Sequence, residues 1–347
     1  MKKIAIIFGG KSTEHEVSTS SGLFVSKNID PEKYQKTNIY IDKKGNWYEY
    51  ETNNYNIEFG KNLENLKPIE NILEHLKNFD CIFPVLHGKY GEDGTIQGLF
   101  ELLNIPYVGC KVLSSSLAMD KAYTKIVLNQ AKIKQAPYKY IIKEKDKYIN
   151  VDENLNQTKT SLEDISKNVK KDLGFPVFIK PSNYGSSIGI TKANNEEELK
   201  KSIILAEKYD KKILIEKGIV GKELECAILE KGEIITSPVG EILSANEFYD
   251  YNSKYKNNDS KTTCHASITK EQENEIQKIA KKAFLALDCK EISRIDFFLD
   301  EKGEIYLNEI NTLPGFTQIS MYPQLFESMG IDNKELVNSL IENEMSY

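Results

Sequence analysis

The sequence predicts an α/β protein that becomes α+β in its C-terminal part, and three observations carry that prediction. Lys3 to Phe8 is a short apolar run stopped by Gly9 and Gly10, followed by a Ser-rich stretch that opens a helix near Ser18. Cys81 to Leu86 repeats the arrangement, leading into the loop HGKYGEDG and a helical pattern at Ile96, Leu99, Phe100, Leu102 and Leu103. Such alternation of strand and helix favours a parallel sheet. Near the other end, ISRIDFFL and EIYLNEI flank DEKG, a hairpin signal. Ligands of open α/β sheets gather beyond the carboxyl ends of the strands, so the two glycine-bearing loops are expected to face one site.

Between these landmarks the elements follow in order. Ser114 to Ile133 reads as one helical stretch leading into PYKYII, a strand from Pro137, and the polar segment Lys143 to Thr160 reads as a surface insertion. A helix over 161–172 precedes the strand PVFIKP at Pro176 to Pro181. The small-residue loop SNYGSSIG after it lies between two β-like runs, as a hairpin flap would. A helix over 196–209 is followed by strands at 212–216, 223–229 and 233–236, expected to form one antiparallel cluster. The run FYDYNSKYKNNDSK, Phe248 to Lys261, has no usable period and reads as a long functional loop. Thr269 to Leu287 is helical, and the tail after the hairpin ends in one or two helices. No internal repeat is visible.

Composition narrows the function. The chain has 347 residues, 46 basic and 52 acidic side chains and a net charge of −6, which argues against nucleic-acid binding by phosphate neutralisation. Its length suits two or three domains. Five dispersed cysteines without CxxC spacing argue against a disulfide framework or a thiolate metal site. The apolar run from Ile4 to Phe8 is too short for a signal core or a membrane span, so the expected compartment is the cytoplasm, with no membrane partner.

Three groups of residues could carry chemistry. On the last hairpin, Arg294 and Asp296 share one face of a strand, as do Glu309 and Asn311 of the next. Three oxygen donors there suit Mg²⁺, with Arg294 free to neutralise developing negative charge; from spacing alone, ordinary surface ion pairs are the more common outcome. The loop NTLPGF offers the N–H of Gly315 to a ligand as in an oxyanion hole, or forms a plain Pro-Gly turn. In the flap, Gly185, Ser186, Ser187 and Gly189 follow Lys180 and could cradle phosphate, although the order is not GxxxxGK[ST]. Phe8-Gly9-Gly10 does not complete GxGxxG, which leaves a dinucleotide-binding oxidoreductase weakly supported. His87 sits at a strand end before Gly88. Neither HxxxH nor HExxH spacing argues for zinc, and Cys264 beside His265 reads as incidental.

Taken together, FGGKSTEHEVS (8–18), LHGKYGEDGTIQG (86–98), AMDKAYTK (118–125), IKPSNYGSSIGI (179–190), EKGIVGKELECA (216–227), FYDYNSKY (248–255), ISRIDFFL and LNEINTLPGFTQIS resemble the D-alanine-D-alanine ligases of the ATP-grasp superfamily. The resemblance runs nearly the whole chain. It implies an ATP-grasp fold with three domains: an N-terminal α/β domain over 1–117 for the first substrate, a central domain over 118–217 with the phosphate flap, and a C-terminal domain over 218–347 with the metal site and a covering loop. It also implies ATP-dependent condensation of two D-alanines through an acyl phosphate, for peptidoglycan, by a cytoplasmic homodimer.

Carried onto this sequence, the resemblance assigns Lys121, Lys180 and Ser187 to ATP phosphates, Glu216 with Lys217 to the adenine end, and Glu223 to the ribose. Asp296, Glu309 and Asn311 would hold two Mg²⁺ ions, Mn²⁺ being an alternative. Glu16 would anchor the first substrate's ammonium and form a bridge with Ser186 and Tyr255 that excludes water. His87 falls at a substrate-site histidine, Lys254 and Ser320 would receive the second carboxylate, and Arg294 with Gly315 would stabilise the tetrahedral oxyanion. Tyr255 favours an amine as second substrate, because D-lactate-using relatives carry a histidine in that loop. In the exit TTCHAS, His265 stands where relatives commonly have proline. The competing expectations are an ATP-grasp ligase for another carboxylate and amine, and a regulator that keeps the fold without the chemistry.

Overall fold

The computed structural model describes residues 1–50, 66–243 and 261–346. Three sheets organise them. In the first, β1 (Lys2–Gly9) runs parallel to β2 (Tyr34–Ile41) on one side and β5 (Cys81–Pro84) on the other. The expected parallel centre is extended at one edge by the antiparallel strands β3 (Trp47–Tyr50) and β4 (Leu66–Pro68). Ile4 to Phe8 are fully buried, as befits a strand covered on both faces. Helix α1 (His15–Asn28) is tied in at its start, where Ser18 Oγ accepts from the Gly9 N–H at 2.8 Å and donates to the Val85 carbonyl at 2.5 Å. A Cβ at Gly22 would lie 2.5 Å from the Phe8 ring, so glycine lets this helix sit directly on β1. On the opposite face, Phe100 and Ile96 of α3 (Thr95–Leu103) pack with Ala5, Ile7 and Ile82, beyond the short α2 (Ile72–Leu76).

The stretch read as one helix is two, α4 (Val112–Met119) and α5 (Lys121–Gln130). Asp120 breaks it: extended at φ −87° and ψ 96°, it caps α5 by accepting from the N–H groups of Ala122 and Tyr123.

The second sheet is antiparallel throughout, in the order β10 (Thr191–Ala193), β9 (Val177–Pro181), β11 (Lys212–Lys217), β6 (Tyr138–Glu144), β7 (Lys147–Val151), β8 (Gln157–Thr160). The segment 143–160, expected as a surface insertion, is its outer meander. Tyr148, Ile149 and Val151 supply the buried positions that its lysine- and asparagine-rich composition masks. Helices α6 (Leu162–Asp172) and α7 (Glu196–Ala206) cover the sheet, each capped by a side chain, Ser161 and Asn195. Ile165, Val169, Leu199 and Ile203 meet Ile179, Ile213 and Ile215 in its core.

The three strands expected as one cluster divide between sheets. β11 stays in the second, while β12 (Gly221–Lys231) and β13 (Glu233–Leu243) enter the third, ordered β14 (Lys261–Thr263), β13, β12, β15 (Ile292–Asp300), β16 (Ile305–Asn311). Both groups are antiparallel as expected. Helix α8 (Lys270–Ala286) starts with a capping box between Thr269 and Gln272, and its stripe of Ile276, Ala280, Ala283 and Phe284 is buried against this sheet. The last helices, α9 (Met321–Ser328) and α10 (Asn333–Glu344), send Tyr322, Leu325, Phe326, Leu336 and Leu340 into the same core as Ile4, Ile6 and Phe8. The C-terminal end therefore locks the first and third sheets together. Among the described residues, no helix is long and apolar enough to cross a membrane.

Candidate active site

A cleft of about 840 Å³ lies where the three sheets meet. The first sheet's loops and the first turn of α1 bring Glu14, Glu16, His87 and Glu92 to it, the flap brings Gly185 and Ser186, and the third sheet with its following loop brings Arg294, Glu309, Asn311, Gly315 and Ser320. A second chamber, between the second and third sheets, holds Lys180, Ser187, Glu216, Lys217, Glu223 and Asp296. Lys121, Gly185, Ser186, Glu225 and Glu309 line both, so the two spaces share a wall. Lys254 and Tyr255, with the long loop that carries them, lie outside the described residues.

The shared wall is built on β15 and β16. Antiparallel pairing sets Arg294 opposite Asn311 and Asp296 opposite Glu309, so all four converge. Arg294 is gripped bidentately by Asp296, Nε and Nη2 each donating at 2.7 Å, and lies 3.2 Å from Glu225 on β12. Burial alone disfavours the guanidinium's charge, but Asp296, Glu225 and Glu309 outweigh it and raise Arg294 well above its ordinary value. Asn311 Nδ2 donates to Asp296 at 3.0 Å. Among the described residues, no three His, Cys, Asp or Glu side chains close on one point. The donor set here is two carboxylates and an amide, hard oxygen ligands that fit Mg²⁺ and not a thiophilic metal. After Asp296 the ladder slips by one residue, so Asn308 is left over and turns toward Lys180, accepting at 3.3 Å.

The flap is held at its root and curled at its tip. Ser182 Oγ donates to Asp120 at 2.6 Å, Lys212 pairs with the same carboxylate, and Lys121 donates to the Tyr184 carbonyl at 2.7 Å. Beyond it, Ser186, Ser187 and Gly189 have φ of 50°, 59° and 70°. Left-handed residues in close succession turn peptide N–H groups inward, the concave arrangement that receives an anion. Two serines held in that region store backbone strain at a functional loop.

Deeper in the second chamber Glu216 is buried between two lysines, Lys125 at 2.5 Å and Lys180 closer still. Burial would raise the carboxyl, yet the two ammonium groups prevail and bring it down to about 2.

On the first-sheet side, Glu16 is solvent-facing and pairs with Lys43, whose hydrogen bond draws the carboxylate below its usual range. His87 is buried and bridges layers: Nε2 lies 2.8 Å from Ser21 Oγ and Nδ1 lies 3.2 Å from the Leu313 carbonyl. In the neutral imidazole the nitrogen facing the carbonyl carries the hydrogen and Ser21 donates to Nε2, while Ser21 accepts in turn from the Phe316 N–H at 3.2 Å. This relay orients the turn that presents Gly315. A Cβ on Gly315 would lie 2.9 Å from Ser320 Oγ, so a larger residue there would push the serine hydroxyl away from the turn.

Two family models match the chain, the D-ala D-ala ligase N-terminus over residues 3–110 and the D-ala D-ala ligase C-terminus over residues 127–342. The chain belongs to the D-alanine-D-alanine ligase family. As a member of it, the protein is an ATP-dependent ligase with an ATP-grasp fold that acts on small molecules. It is 47% identical over 345 residues to the D-alanine--D-alanine ligase of Clostridium acetobutylicum, covering 98% of this chain and 97% of that one. Against the ligase of the same name from Proteus mirabilis it is 40% identical over 365 residues, covering 99% and 95%. Among solved structures it resembles the VanG D-Ala:D-Ser ligase of Enterococcus faecalis, with a TM-score of 0.85 and 37% identity over 99% of both chains. The D-alanine-D-alanine ligase of Coxiella burnetii matches with a TM-score of 0.83 and 31% identity over 100% and 96%.

Sequence reasoning overlooked four residues that line or back these two spaces in this ligase. Lys125 lies one helical turn after Lys121, a spacing that was legible. Asp120 could have been read as a cap. Glu225 faces Arg294 only through the pairing of β12 with β15, which no local pattern reveals. Glu14 is buried, its Oε1 3.1 Å from a Cβ built on Gly88 and 3.3 Å from one built on Gly185, so it stands between the first-sheet loop and the flap.

Proposed function

We propose that the protein joins two D-alanines into D-alanyl-D-alanine, converting ATP to ADP and phosphate, as a step toward peptidoglycan. The observation that carries this reading is the shared wall. Arg294, Asp296 and Glu309 stand between a cleft with ammonium, carboxylate and oxyanion partners and a chamber with phosphate and base partners. A carboxylate activated on one side can thus meet phosphate from the other.

Each residue then has a task. Lys121 and Lys180, with the curled N–H groups around Ser186 and Ser187, hold the phosphates; Glu216 and Lys217 face the base and Glu223 the ribose. Asp296, Glu309 and Asn311 are the residues that would hold Mg²⁺, or Mn²⁺ in its place, which when bound supplies neutralisation of crowded phosphate oxygens. Glu16 anchors the first amino acid's ammonium, with His87 and Ser186 beside it. Phosphorylation gives the first carboxylate a good leaving group, and the second amine attacks the carbonyl. Arg294 and the Gly315 N–H receive the oxyanion, while Ser320 and Lys254 hold the second carboxylate. Tyr255 completes the cover that protects the acyl phosphate from water. The resemblance further implies a cytoplasmic homodimer.

The likeness to a D-Ala:D-Ser ligase favours one second reading, in which D-serine is the second substrate. The deciding experiment supplies ATP and a magnesium salt with D-alanine, L-alanine, D-alanine plus D-serine, or D-alanine plus D-lactate, measuring phosphate release and identifying products by mass. D-Alanyl-D-alanine from D-alanine alone, retained as the main product when D-serine is added, is expected. A dominant D-alanyl-D-serine would move the reading to the second substrate. Nucleotide binding without turnover would return it to a regulator.

A further inference from the structure

The nucleotide chamber contains a charge arrangement larger than base binding requires. Glu216 on β11 sits between β6 and β9, opposite Tyr138 and Phe178, and two lysines converge on it. They are not equivalent. Lys180 lines the chamber, is 15% exposed and also reaches Asn308, whereas Lys125 comes from α5 behind the chamber wall and is 4% exposed. The Lys125 ammonium also lies 5.1 Å from the Tyr138 ring centroid. Burial draws Lys125 below the usual ammonium range, and Glu216 works against that draw. Among the described residues the two lysines are the ion-pair partners of Glu216, and the Tyr138 phenol opposite it is raised by burial and, in smaller part, by the Glu216 charge.

This inference rests on the proposed ATP site and deepens it. If Lys180 turns to phosphate when nucleotide binds, Glu216 loses one of its two cations while staying buried. A buried carboxylate left alone takes up a proton and becomes a donor on one oxygen. We propose that Lys125 is the positioning residue that keeps Glu216 an ionised, acceptor-only carboxylate while Lys180 serves phosphate, and so sets the selectivity for a 6-aminopurine over a 6-oxopurine. The chemistry is that of hydrogen-bond sign. A 6-amino group donates to a carboxylate, whereas a 6-oxo group presents lone pairs to it, and a buried site penalises that mismatch heavily. Lys125 touches neither base nor phosphate and acts through Glu216 alone.

The test compares ATP with inosine triphosphate, which carries the 6-oxo group, using D-alanine as substrate. In the native chain kcat/KM should favour ATP by roughly 10-fold or more. In Lys125→Gln that preference should fall to within roughly 3-fold, through a rise in KM for ATP with KM for inosine triphosphate nearly unchanged. The variant's KM for ATP should also climb as pH falls from about 8 to about 6, since its Glu216 now takes up a proton there. A purely structural lysine would lower both nucleotides equally and without this pH dependence, and that outcome overturns the proposal. So does an unchanged ratio. Because removing a buried cation can unfold the chain, a second measurement uses the native protein: the ratio of ATP to inosine triphosphate affinity by calorimetry, in which the shared phosphate titration cancels. A ratio constant from about pH 8 to about pH 5.5 supports a carboxylate held ionised with nucleotide bound, and a ratio that collapses in that window refutes it. These binding ratios remain readable if no dipeptide forms, so failure of the ligase reading and failure of the Lys125 assignment are separate results.

Discussion

Arg294 and Asp296, two residues apart on one strand, are locked in a two-point ion pair with both contacts at 2.7 Å. The guanidinium is thus charged, oriented and held, as the proposed oxyanion role requires. Preorganised donors of this kind account for large rate effects. Arg294→Lys should lower kcat by about 10²-fold or more, because a single ammonium cannot keep both contacts to Asp296 and still face the cleft. Steady-state kinetics with saturating D-alanine and ATP checks this. A variant with native kcat would remove Arg294 from the chemistry.

Glu16 is exposed and its ion pair with Lys43 lies on the surface, so it contributes little to folding. Its replacement by alanine should leave the melting temperature within a degree or two and nucleotide affinity unaltered. Ligation should nevertheless fall by about 10²-fold or more in kcat/KM for D-alanine, the consequence of losing an ammonium's counter-charge. Unchanged dipeptide production in Glu16→Ala would overturn the anchoring role.

Asp120 joins three things that the proposed nucleotide site needs in register. It caps α5, so directing Lys121; it accepts from Ser182 at 2.6 Å, the root of the flap; and it pairs with Lys212. Asp120→Ala removes a cap worth about 1 kcal/mol and leaves Lys212 without its carboxylate. The expected result is a lower melting temperature together with a several-fold rise in KM for ATP and a smaller change in KM for D-alanine. Equal shifts in both constants would argue that the flap root is not what Asp120 sets.

How far the sequence could be read depended on whether a feature was local. The parallel centre around Ile4 to Phe8, the hairpin bearing Asp296 and Glu309, and the helix after Thr269 all carry their signal in neighbouring residues, and all formed as expected. The break at Asp120 was missed because apolar residues on both sides keep a helical period and hide a single capping position. The meander at 147–160 was missed because its few buried residues, Tyr148, Ile149 and Val151, are outnumbered by lysine and asparagine. Long-range pairings were beyond such reading in principle. Nothing near Lys212 says that β11 joins β6 and β9, and nothing near Glu225 says that it will face Arg294. Most of the wall shared by the two spaces was legible because one hairpin supplies it, whereas the lysine behind Glu216 became meaningful only once two sheets were brought together.

Glu291 supplies a pH test of how the chain is fastened at its C-terminal end. It is almost fully buried, with one oxygen accepting from the Gly109 N–H at 2.5 Å and the other from Asn343 Nδ2 at 3.0 Å. Glu344, one residue beyond Asn343 on α10, is held by Lys111 at 2.9 Å. Burial first, and the Glu344 charge second, push the Glu291 carboxyl up to about 8. A carboxyl raised in the folded state keeps its proton where the unfolded chain has released it. Its stabilising effect is therefore complete below the ordinary carboxylate value and is lost as pH rises toward about 8, at up to about 1.4 kcal/mol per pH unit. Glu291→Gln keeps the shape and an acceptor for Gly109, and Asn343 can turn its amide to accept from the new NH₂. The variant should match the native protein near pH 5 and melt several degrees higher near pH 8.5, since only the native chain must ionise a buried group. A thermal scan at both pH values decides it. An equal destabilisation at the two pH values would mean that Glu291 is ionised throughout and that its charge, not its proton, fastens α10.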